Sequence, residues 1–473
     1  MFRLVAAFAM LLVASACAPE PPIQTAASAP SASTPSSPAP GTAAPQPPRR
    51  DPATMLYASP ALQAYVERVG NRLVTRARLA GGPFRFGVLD VADVNAWVLA
   101  DGRVFVTRGL LALLDDEAEL AATIAHELAH LSRRHHVATA QARRTAIDNA
   151  VAAAEASGSI SVGRSVLRDG LLAARRYSRE QELEADRVAL PTLAQAGYRT
   201  DAMVTLIDKL WRHARLEAML VDLPPELADR RRSDSTHPAF SERLAALREL
   251  GGTADGEAGR QAYLAAIDGM SVDDARNEGF VRGRRFLHPT LRLAFEVPEG
   301  YRILNDSSAV LAIRREHGLV VFSCYAERPS GPLTDWLRRR LRPTPVGLES
   351  TRIGDAEAAI ADRQGGAERV RFVAVRHGEG TCAFNLRARG ADRDAEIGRL
   401  TDAARGFRAL GDSEVAGLRP FRLKIIPIAG VDPERVASRL PYPDLRMERL
   451  TALNGVDSAL QLPRLRTIKT VVP

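Results

Sequence analysis

The chain has 473 residues, of which 46% are hydrophobic and 25% are charged. This composition is that of a globular protein and excludes a collagen-like or wholly disordered chain, and the length predicts two or three domains. The net charge of +8 comes from arginines scattered among acidic residues. We therefore expect no nucleic-acid partner.

The N-terminus has the pattern of an export signal. An apolar run from Leu4 to Val13 follows Arg3 and leads into small residues before Cys17. Such a run is too short for a bilayer core, which needs about 20 residues, so residues 1–16 are predicted to be a signal peptide. The cleavage site fits ordinary Ala-x-Ala processing and also a lipoprotein box, and we favour lipidation of Cys17.

Residues 17–50 are rich in proline, alanine and serine. They contain too few large apolar residues to fold and predict a flexible tether. With a lipid on Cys17, this tether would hold the rest of the chain in the periplasm, anchored to the outer membrane. Cys324 and Cys382 are then an even pair in an exported chain, which predicts a disulfide, with two buried free thiols as the alternative.

The first folded segment is predicted to begin with a helix and a few strands. Apolar residues at helical spacing predict a helix over residues 61–80. Short apolar or alternating runs then predict strands, with a turn at Gly102 before the last of them. These runs cover residues 84–89, 94–99 and 103–107.

A long helix is expected next, because Asp115 and Asp116 are followed by Glu119 and an alanine- and leucine-rich stretch. This order is typical of an N-cap with a capping-box glutamate. We expect the helix to run past His136.

This helix carries the sequence His126-Glu127-Leu128-Ala129-His130. Histidines four residues apart project from one helical face and can share one metal ion. In this arrangement zinc lowers the pKa of water and polarises a peptide carbonyl, while Glu127 takes the proton of the attacking water. We expect one Zn²⁺ per chain, with His135 and His136 as surface or supporting groups and not as ligands.

A catalytic zinc site needs a third protein ligand, and an acidic segment downstream offers several. Ser178 is a candidate N-cap, and Glu182 and Asp186 lie one helical turn apart, as a ligand and a residue that orients a ligand histidine would. Spacing alone does not choose among Glu180, Glu182 and Glu184. The alternative for this segment is an acidic, solvated helix face.

These residues resemble the gluzincin metallopeptidases of the HtpX and CAAX-prenyl-protease type, in particular the periplasmic BepA-like branch. The resemblance covers about residues 61–250, and it rests on Asn95-Ala96-Trp97, Val106–Leu110, His126–His130, Ser178–Asp186, Ala196-Gly197-Tyr198, Thr236-His237-Pro238 and Arg243. It implies that Glu182 is the third zinc ligand and that Asp186 supports it.

The resemblance also implies roles around the metal. Asn95 and Ala96 would pair with extended substrate by strand addition. His237 would lie over the metal, either stabilising the oxyanion or blocking zinc as a switchable ligand, with Arg243 close by as a substrate-binding residue. A capping histidine before proline is the alternative for His237.

The rest of the chain has a different character. Residues 251–410 show no 34-residue period, so tetratricopeptide repeats are not expected. Their pattern predicts an α+β accessory domain without a catalytic constellation. Its predicted strands and helices cover 293–297, 310–313, 319–324, 334–341, 370–375, 380–387 and 392–407.

Residues 411–473 predict a strand, two helices and a strand, at 423–428, 433–439, 447–454 and 466–471. This β-α-α-β order resembles a degenerate LysM module, a fold that commonly binds peptidoglycan. The usual Gly-Asp-Thr opening is here Gly430-Val431-Asp432, and a plain packing domain is the alternative.

The fold class predicted is α+β, with a mainly helical gluzincin domain over 51–250 that contains a small sheet. The predicted function is a zinc endopeptidase that hydrolyses unfolded or misassembled envelope proteins. The alternative is a chaperone or assembly factor for outer-membrane proteins, in which proteolysis is suppressed. Retention of Glu127 favours the enzyme, since a scaffold need not keep the general base.

Overall fold

The computed structural model describes residues 52–157, 159–229, 239–305, 309–341, 345–363 and 366–473. The predicted signal peptide and tether, with Cys17, lie outside these residues, and so does His237. Among the described residues, no helix combines the length and apolar character that crossing a membrane requires. The architecture is α+β: a mainly helical first segment is followed by a sheet-rich region.

A small sheet lies beside the first helices. Its strands are β1 (Arg85–Leu89), β2 (Ala96–Val98) and β3 (Arg103–Thr107), in the order β1-β3-β2. β1 runs parallel and β2 antiparallel to the central β3. Most residues of β1 and β3 are buried, whereas all three residues of β2, one of the two edge strands, are only partly buried.

The helices of the first segment enclose the core. They are α1 (Pro60–Arg76), α2 (Arg108–Leu113), α3 (Glu117–Ser132), α4 (His135–Ser157), α5 (Ile160–Ala196), α6 (Ala202–Leu220), α7 (Phe240–Glu249) and α8 (Arg260–Ile267).

Helix α3 begins where the sequence predicts and ends earlier. Asp116 is its N-cap, with a side chain that accepts a hydrogen bond from the Glu119 amide at 2.9 Å. The Glu119 carboxylate accepts from the amide of Asp115, the residue before the N-cap, at 2.7 Å. The predicted N-cap is therefore confirmed, while the glutamate bonds one residue earlier than in a capping box. The predicted continuation past His136 is wrong, because Arg134 has a φ of +53°, which breaks the helix before α4 begins.

Helices α4 and α5 form a long antiparallel hairpin. Small residues allow close packing between them: a Cβ added to Gly170 would lie 2.8 Å from the Ala146 Cβ. Ser178 lies inside α5, which begins at Ile160. The predicted N-cap at Ser178 is therefore wrong.

The accessory region is built around an antiparallel sheet whose neighbouring strands are, in order, residues 346–353, 356–363, 369–377, 380–388, 318–325, 310–314 and 302–305. Cys324 and Cys382 lie opposite each other on two neighbouring strands of this sheet and form a disulfide, as predicted. The elements of this region, including a second small sheet, are β4 (Ser271–Val272), β5 (Phe280–Arg282), β6 (Arg285–His288), β7 (Leu293–Glu296), β8 (Arg302–Asn305), β9 (Val310–Arg314), β10 (Gly318–Tyr325), α9 (Leu333–Arg340), β11 (Val346–Ile353), β12 (Ala356–Arg363), β13 (Arg369–His377), β14 (Gly380–Ala388), α10 (Arg393–Arg405) and β15 (Arg408–Ala409).

The C-terminal segment begins with a short helix that was not predicted, and the elements after it include the predicted strand, two helices and strand in that order. Its elements are α11 (Asp412–Gly417), β16 (Phe421–Pro427), α12 (Pro433–Ser438), α13 (Arg446–Leu453) and β17 (Thr467–Val472).

This segment packs into the core of the first helices. β16 pairs with β17 and also with the short β4. Leu423, Leu450 and Ile468 belong to the same hydrophobic cluster as Leu73 and Leu120. The division of the chain at 250 and 410 stays a prediction, but the first and last segments share one hydrophobic core.

Candidate metal centre and active-site cleft

Three side chains that can ligate a metal meet between α3 and α5. His126 and His130 lie on one face of α3, and Glu182 approaches from α5. The two Nε2 atoms are 3.1 Å apart, and each lies 3.5 Å from an oxygen of Glu182. All three side chains are largely buried, and their ligand atoms lie within 4.8 Å of one another.

This donor set fits zinc. Two imidazole nitrogens and one carboxylate oxygen are typical of catalytic zinc sites. Ligand atoms on a tetrahedron, each about 2.0–2.1 Å from zinc, lie about 3.4 Å apart, close to the separations measured between His126, His130 and Glu182. The structure therefore brings together the three predicted ligands in an arrangement that could hold one such ion.

Asp186 lies one turn beyond Glu182 and contacts His126. Its Oδ1 is 3.0 Å from His126 Nδ1, which leaves Nε2 to face the other ligand atoms. Arg243 on α7 donates two hydrogen bonds to the same carboxylate, at 2.8 and 2.7 Å. Burial raises the pKa of Asp186, but the charge and hydrogen bonds of Arg243 outweigh this and lower it to about 2. The carboxylate is therefore ionised and can hold the ring.

His126 and His130 have different surroundings. Burial lowers the pKa of His126, but hydrogen bonds to Asp186 and Glu182 outweigh burial and raise the pKa to about 10. Burial lowers the pKa of His130 to about 3. The acidic groups around His126 favour a positive charge at the cluster, whether a proton or a metal ion supplies it.

His135 lies between His130 and Glu184. Its Nδ1 lies 3.0 Å from His130 Nδ1, and its Nε2 lies 3.3 Å from Glu184. Glu184 points away from the ligand cluster and also pairs with Arg133 on the surface, at 3.2 Å. Of the glutamates that spacing could not separate, Glu182 is the one that approaches both histidines, while Glu180 is exposed.

Glu127 lies in a cleft that His126, His130 and Glu182 also line. It is buried, and its Oε2 has no hydrogen-bond partner within the described part of the chain. Burial raises the pKa of Glu127 to about 7, while the charge of His126 and the backbone of Val98 oppose the rise. A carboxylate in this environment can exchange a proton near neutral pH.

The cleft is bordered by the edge strand β2. Asn95 and Ala96 line it together with the ligands and Arg243. Thr107 holds the Asn95 backbone in place with two hydrogen bonds. The Thr107 Oγ1 accepts from the Asn95 amide at 3.1 Å, and the Thr107 amide donates to the Asn95 carbonyl at 3.0 Å. β2 has a strand neighbour on one side only among the described strands. Its other edge is the type of surface to which an extended peptide adds.

Comparison with known proteins agrees with this geometry. The family model "Peptidase family M48" matches residues 60–251, which include His126, His130 and Glu182. The metalloprotease LoiP of Escherichia coli (strain K12) is 30% identical over 199 residues, which cover 40% of this chain and 72% of LoiP. The chain belongs to peptidase family M48.

Other M48 relatives are similar over the same region. The beta-barrel assembly-enhancing protease of Escherichia coli (strain K12) is 31% identical over 199 residues, covering 40% of this chain and 39% of that protein. The mitochondrial metalloendopeptidase OMA1 of Schizosaccharomyces pombe is 32% identical over 188 residues, covering 39% of this chain and 52% of that protein. The chain thus spans only about half, or less, of the length of these two relatives.

Some residues of the M48 site were not found from the sequence. Leu206, Ile207 and Leu210 on α6 line the cleft, and the sequence signal that could have revealed them is their spacing along one face of a helix. Arg243 was expected to bind substrate, and it does border the cleft, but its two short hydrogen bonds go to Asp186. His237 lies outside the described residues.

Proposed function

We propose that this protein is a zinc-dependent endopeptidase of the bacterial cell envelope, with one zinc ion per chain. The observation that carries the proposal is the close grouping of His126, His130 and Glu182 beside the buried Glu127. A pure binding protein would need neither this ligand set nor a carboxylate placed beside it.

A zinc ion bound by His126, His130 and Glu182 would supply a Lewis acid that polarises the scissile carbonyl and acidifies water. Glu127 takes the proton from the attacking water and passes it to the leaving amine. Asp186 holds His126 in the orientation that ligation needs, and Arg243 keeps Asp186 ionised.

The substrate binds as an extended chain in this proposal. An added strand would pair with the outer edge of β2 at Ala96, through backbone hydrogen bonds that do not depend on the substrate sequence. The Asn95 backbone faces β3, and the Asn95 Oδ1 accepts from the Ala96 amide at 2.8 Å, so the Asn95 side chain would have to release this amide to the substrate. Such binding suits segments of unfolded polypeptide, because folded proteins rarely expose unpaired backbone of sufficient length.

The cellular role is proposed from the relatives and from the N-terminal sequence. A relative is named a beta-barrel assembly-enhancing protease, which supports unfolded or misassembled outer-membrane proteins as substrates. The pattern before Cys17 supports a periplasmic location with a lipid anchor in the outer membrane. Binding of peptidoglycan by residues 411–473 stays a prediction that no observation tests.

The test is hydrolysis of an unfolded protein, such as casein, by the purified chain and by Glu127→Gln. We expect the variant to bind zinc as the wild type does and to lose activity by at least about a hundredfold, since a positioned base contributes about 10²–10⁴ in rate. Glu155→Gln, at an exposed position on α4, is the matched control and should remain active.

Equal hydrolysis by Glu127→Gln and the wild type would contradict the proposal. Absence of hydrolysis by both, together with prevention of outer-membrane protein aggregation by both, would instead support the chaperone alternative.

A further inference from the structure

The loop between β1 and β2 (residues 90–95) reaches the cleft, since its last residue, Asn95, lines it. Neighbouring side chains hold both ends of this loop. The Arg108 Nε donates to Asp90, at the start of the loop, at 2.6 Å, and Thr107 binds the Asn95 backbone at its end. The middle of the loop also contacts the accessory region.

Glu278 of the accessory region makes this contact. Its carboxylate accepts a hydrogen bond from the Ala92 amide, and it faces the charged groups of Asp90, Asp93 and Arg108. The side chain of Glu278 therefore meets both the backbone of the loop and the charges that surround it.

The accessory region fixes the backbone of Glu278. The Glu278 amide donates to the Ala275 carbonyl at 3.0 Å, and the Asn305 Nδ2 on β8 donates to the Glu278 carbonyl at 3.1 Å. Glu278 lies outside residues 60–251, the part of the chain that the M48 family model matches. A braced turn of the accessory region thus supports a loop of the M48 region.

The surroundings of Glu278 favour a neutral carboxyl group. The Glu278 Oε1 is buried and has no hydrogen-bond partner among the described residues. Burial, together with the charge of Asp93, raises the pKa of Glu278 to about 8, while the charge of Arg108 opposes the rise. Glu278 is therefore mostly protonated at neutral pH and becomes ionised as the pH rises through about 8.

Arg108 does not neutralise Glu278 directly. It binds Asp90 and donates to the Ser271 carbonyl at 3.3 Å, while its Nη2 is buried without a partner among the described residues. An ionised Glu278 would repel Asp93 and compete with Asp90 for Arg108. Both effects would loosen the loop.

We propose that Glu278 is a positioning residue for substrate binding: its neutral carboxyl group fixes the loop that leads into β2, and loss of the proton weakens binding at that strand. The inference rests on the proposed peptidase function. The accessory region thereby controls the cleft, although His126, His130 and Glu182 lie outside it. Because the loop carries none of these three residues, the effect falls on KM and not on kcat.

The first test is the KM for an internally quenched casein peptide at pH 7 and pH 9, measured with the full chain and with Glu278→Gln. Glutamine keeps an acceptor for the Ala92 amide but does not ionise. We expect the KM of the wild type, divided by that of Glu278→Gln, to rise about tenfold between these pH values, because a group that titrates near pH 8 is about nine-tenths ionised at pH 9. The division cancels the titrations that both enzymes share, and kcat should be equal in the two.

Glu278→Ala removes the acceptor and should raise KM at pH 7 by about five- to tenfold, the usual effect of losing one hydrogen bond. Glu299→Ala, at an exposed position of the accessory region, is the matched control and should keep the wild-type KM. A merely structural role would affect Glu278→Ala without a dependence of the KM ratio on pH. A constant ratio of wild type to Glu278→Gln, or a loss of kcat at unchanged KM, would overturn the inference.

A second readout does not depend on hydrolysis. Hydrogen exchange of residues 90–98, followed by mass spectrometry at pH 7, should be about five- to tenfold faster in Glu278→Ala than in the wild type. Exchange of the same residues should be unchanged in Glu299→Ala.

The two readouts separate the two proposals. Faster exchange in Glu278→Ala without hydrolysis by any variant would retain the control of the loop by Glu278 and contradict the peptidase function. Hydrolysis with unchanged exchange and unchanged KM in Glu278→Ala would retain the peptidase function and contradict the positioning role.

Discussion

Asp186 links two parts of the M48 site at the scale of single residues. It lies 3.0 Å from the ligand His126 and receives two hydrogen bonds from Arg243 on α7. A carboxylate in this position fixes the ring orientation of a ligand histidine and increases its basicity. The affinity for zinc should therefore depend on a residue that does not itself ligate the metal.

We predict that Asp186→Asn raises the zinc dissociation constant by about 10–100-fold, the usual effect of losing such a partner. Competition with a chromogenic chelator measures this constant. Asp169→Asn, at an exposed position on the same helix, should bind zinc as the wild type does. If the two variants have equal zinc affinities, Asp186 does not orient the ligand.

The sequence could predict contacts between residues that are close along a helix. His126 and His130 meet because they are four residues apart on α3, and spacing is enough to show this. The pairing of Arg243 with Asp186 and the contact of His135 with His130 depend on how α5 and α7 pack and where α3 ends. Spacing also left Glu180, Glu182 and Glu184 unresolved, because α5 turns each of them in a different direction.

At the scale of elements, the position of β2 depends on how the chain before it packs against α2. The Gly109 amide donates to the Val91 carbonyl at 3.2 Å. A Cβ added to Gly109 would lie 1.8 Å from the Ala92 carbonyl oxygen, a contact that real structures do not contain. Only glycine allows the backbone leading into β2 to lie this close to α2.

We predict that Gly109→Ala displaces β2 and raises the KM for peptide hydrolysis by about tenfold or more, since small misplacements of binding groups are costly. Zinc content should be unchanged, because the ligands lie on α3 and α5. Gly398→Ala on α10 is the control, since its added Cβ meets no atom within 4 Å. Steady-state kinetics measure the KM of the two variants. An unchanged KM in Gly109→Ala would contradict the proposed role of β2.

Most elements that the sequence predicted are present, with bounds shifted by a few residues. Strands β9, β10, β13 and β14 and helix α10 are examples, because their apolar patterns match their burial in the sheet-rich region. The end of α3 was not predictable from composition, because Arg134 adopts its positive φ only in the context of the turn into α4. The start of α5 was missed because residues 159–166 are mainly serine, glycine and β-branched residues, which have low intrinsic helix propensity.

At the scale of the whole molecule, one buried lysine joins the chain's end to the active-site region. The Nζ of Lys469 on β17 donates to the carbonyls of Ala112, Leu113 and Leu114 at 2.7 to 2.9 Å. It also lies 2.9 Å from Asp115, directly before the N-cap of α3. The last strand therefore stabilises the end of α2 and the start of the helix that carries the metal ligands.

We predict that Lys469→Met lowers the free energy of unfolding by about 3 kcal/mol, because it leaves buried carbonyls without their donor. The Asp115 carboxylate keeps Lys209 and Arg260 as partners. Lys424→Met on β16 removes an exposed pair with Asp268 and should cost at most about 1 kcal/mol. Urea unfolding, monitored by tryptophan fluorescence, measures the free energy of unfolding of the two variants. Equal losses would contradict the role assigned to Lys469.

The sequence indicated the β-α-α-β order of the C-terminal segment but not where it packs. Its strands are recognisable from local alternation, whereas its partners are Met270 and Val272 and the core of α1 and α3, far away along the chain. Long-range packing of this kind leaves no periodic signal in a single sequence. The α+β class, by contrast, follows from the order of local patterns.

The measurement that tests the central claim most directly is the zinc content of the wild type, Glu182→Gln and Glu184→Gln by elemental analysis. Our account predicts about one zinc per chain in the wild type and in Glu184→Gln, and a clear deficit in Glu182→Gln, because catalytic zinc sites need three protein ligands. Full zinc occupancy in Glu182→Gln, or a deficit in Glu184→Gln alone, would contradict the assignment of His126, His130 and Glu182 as the metal centre.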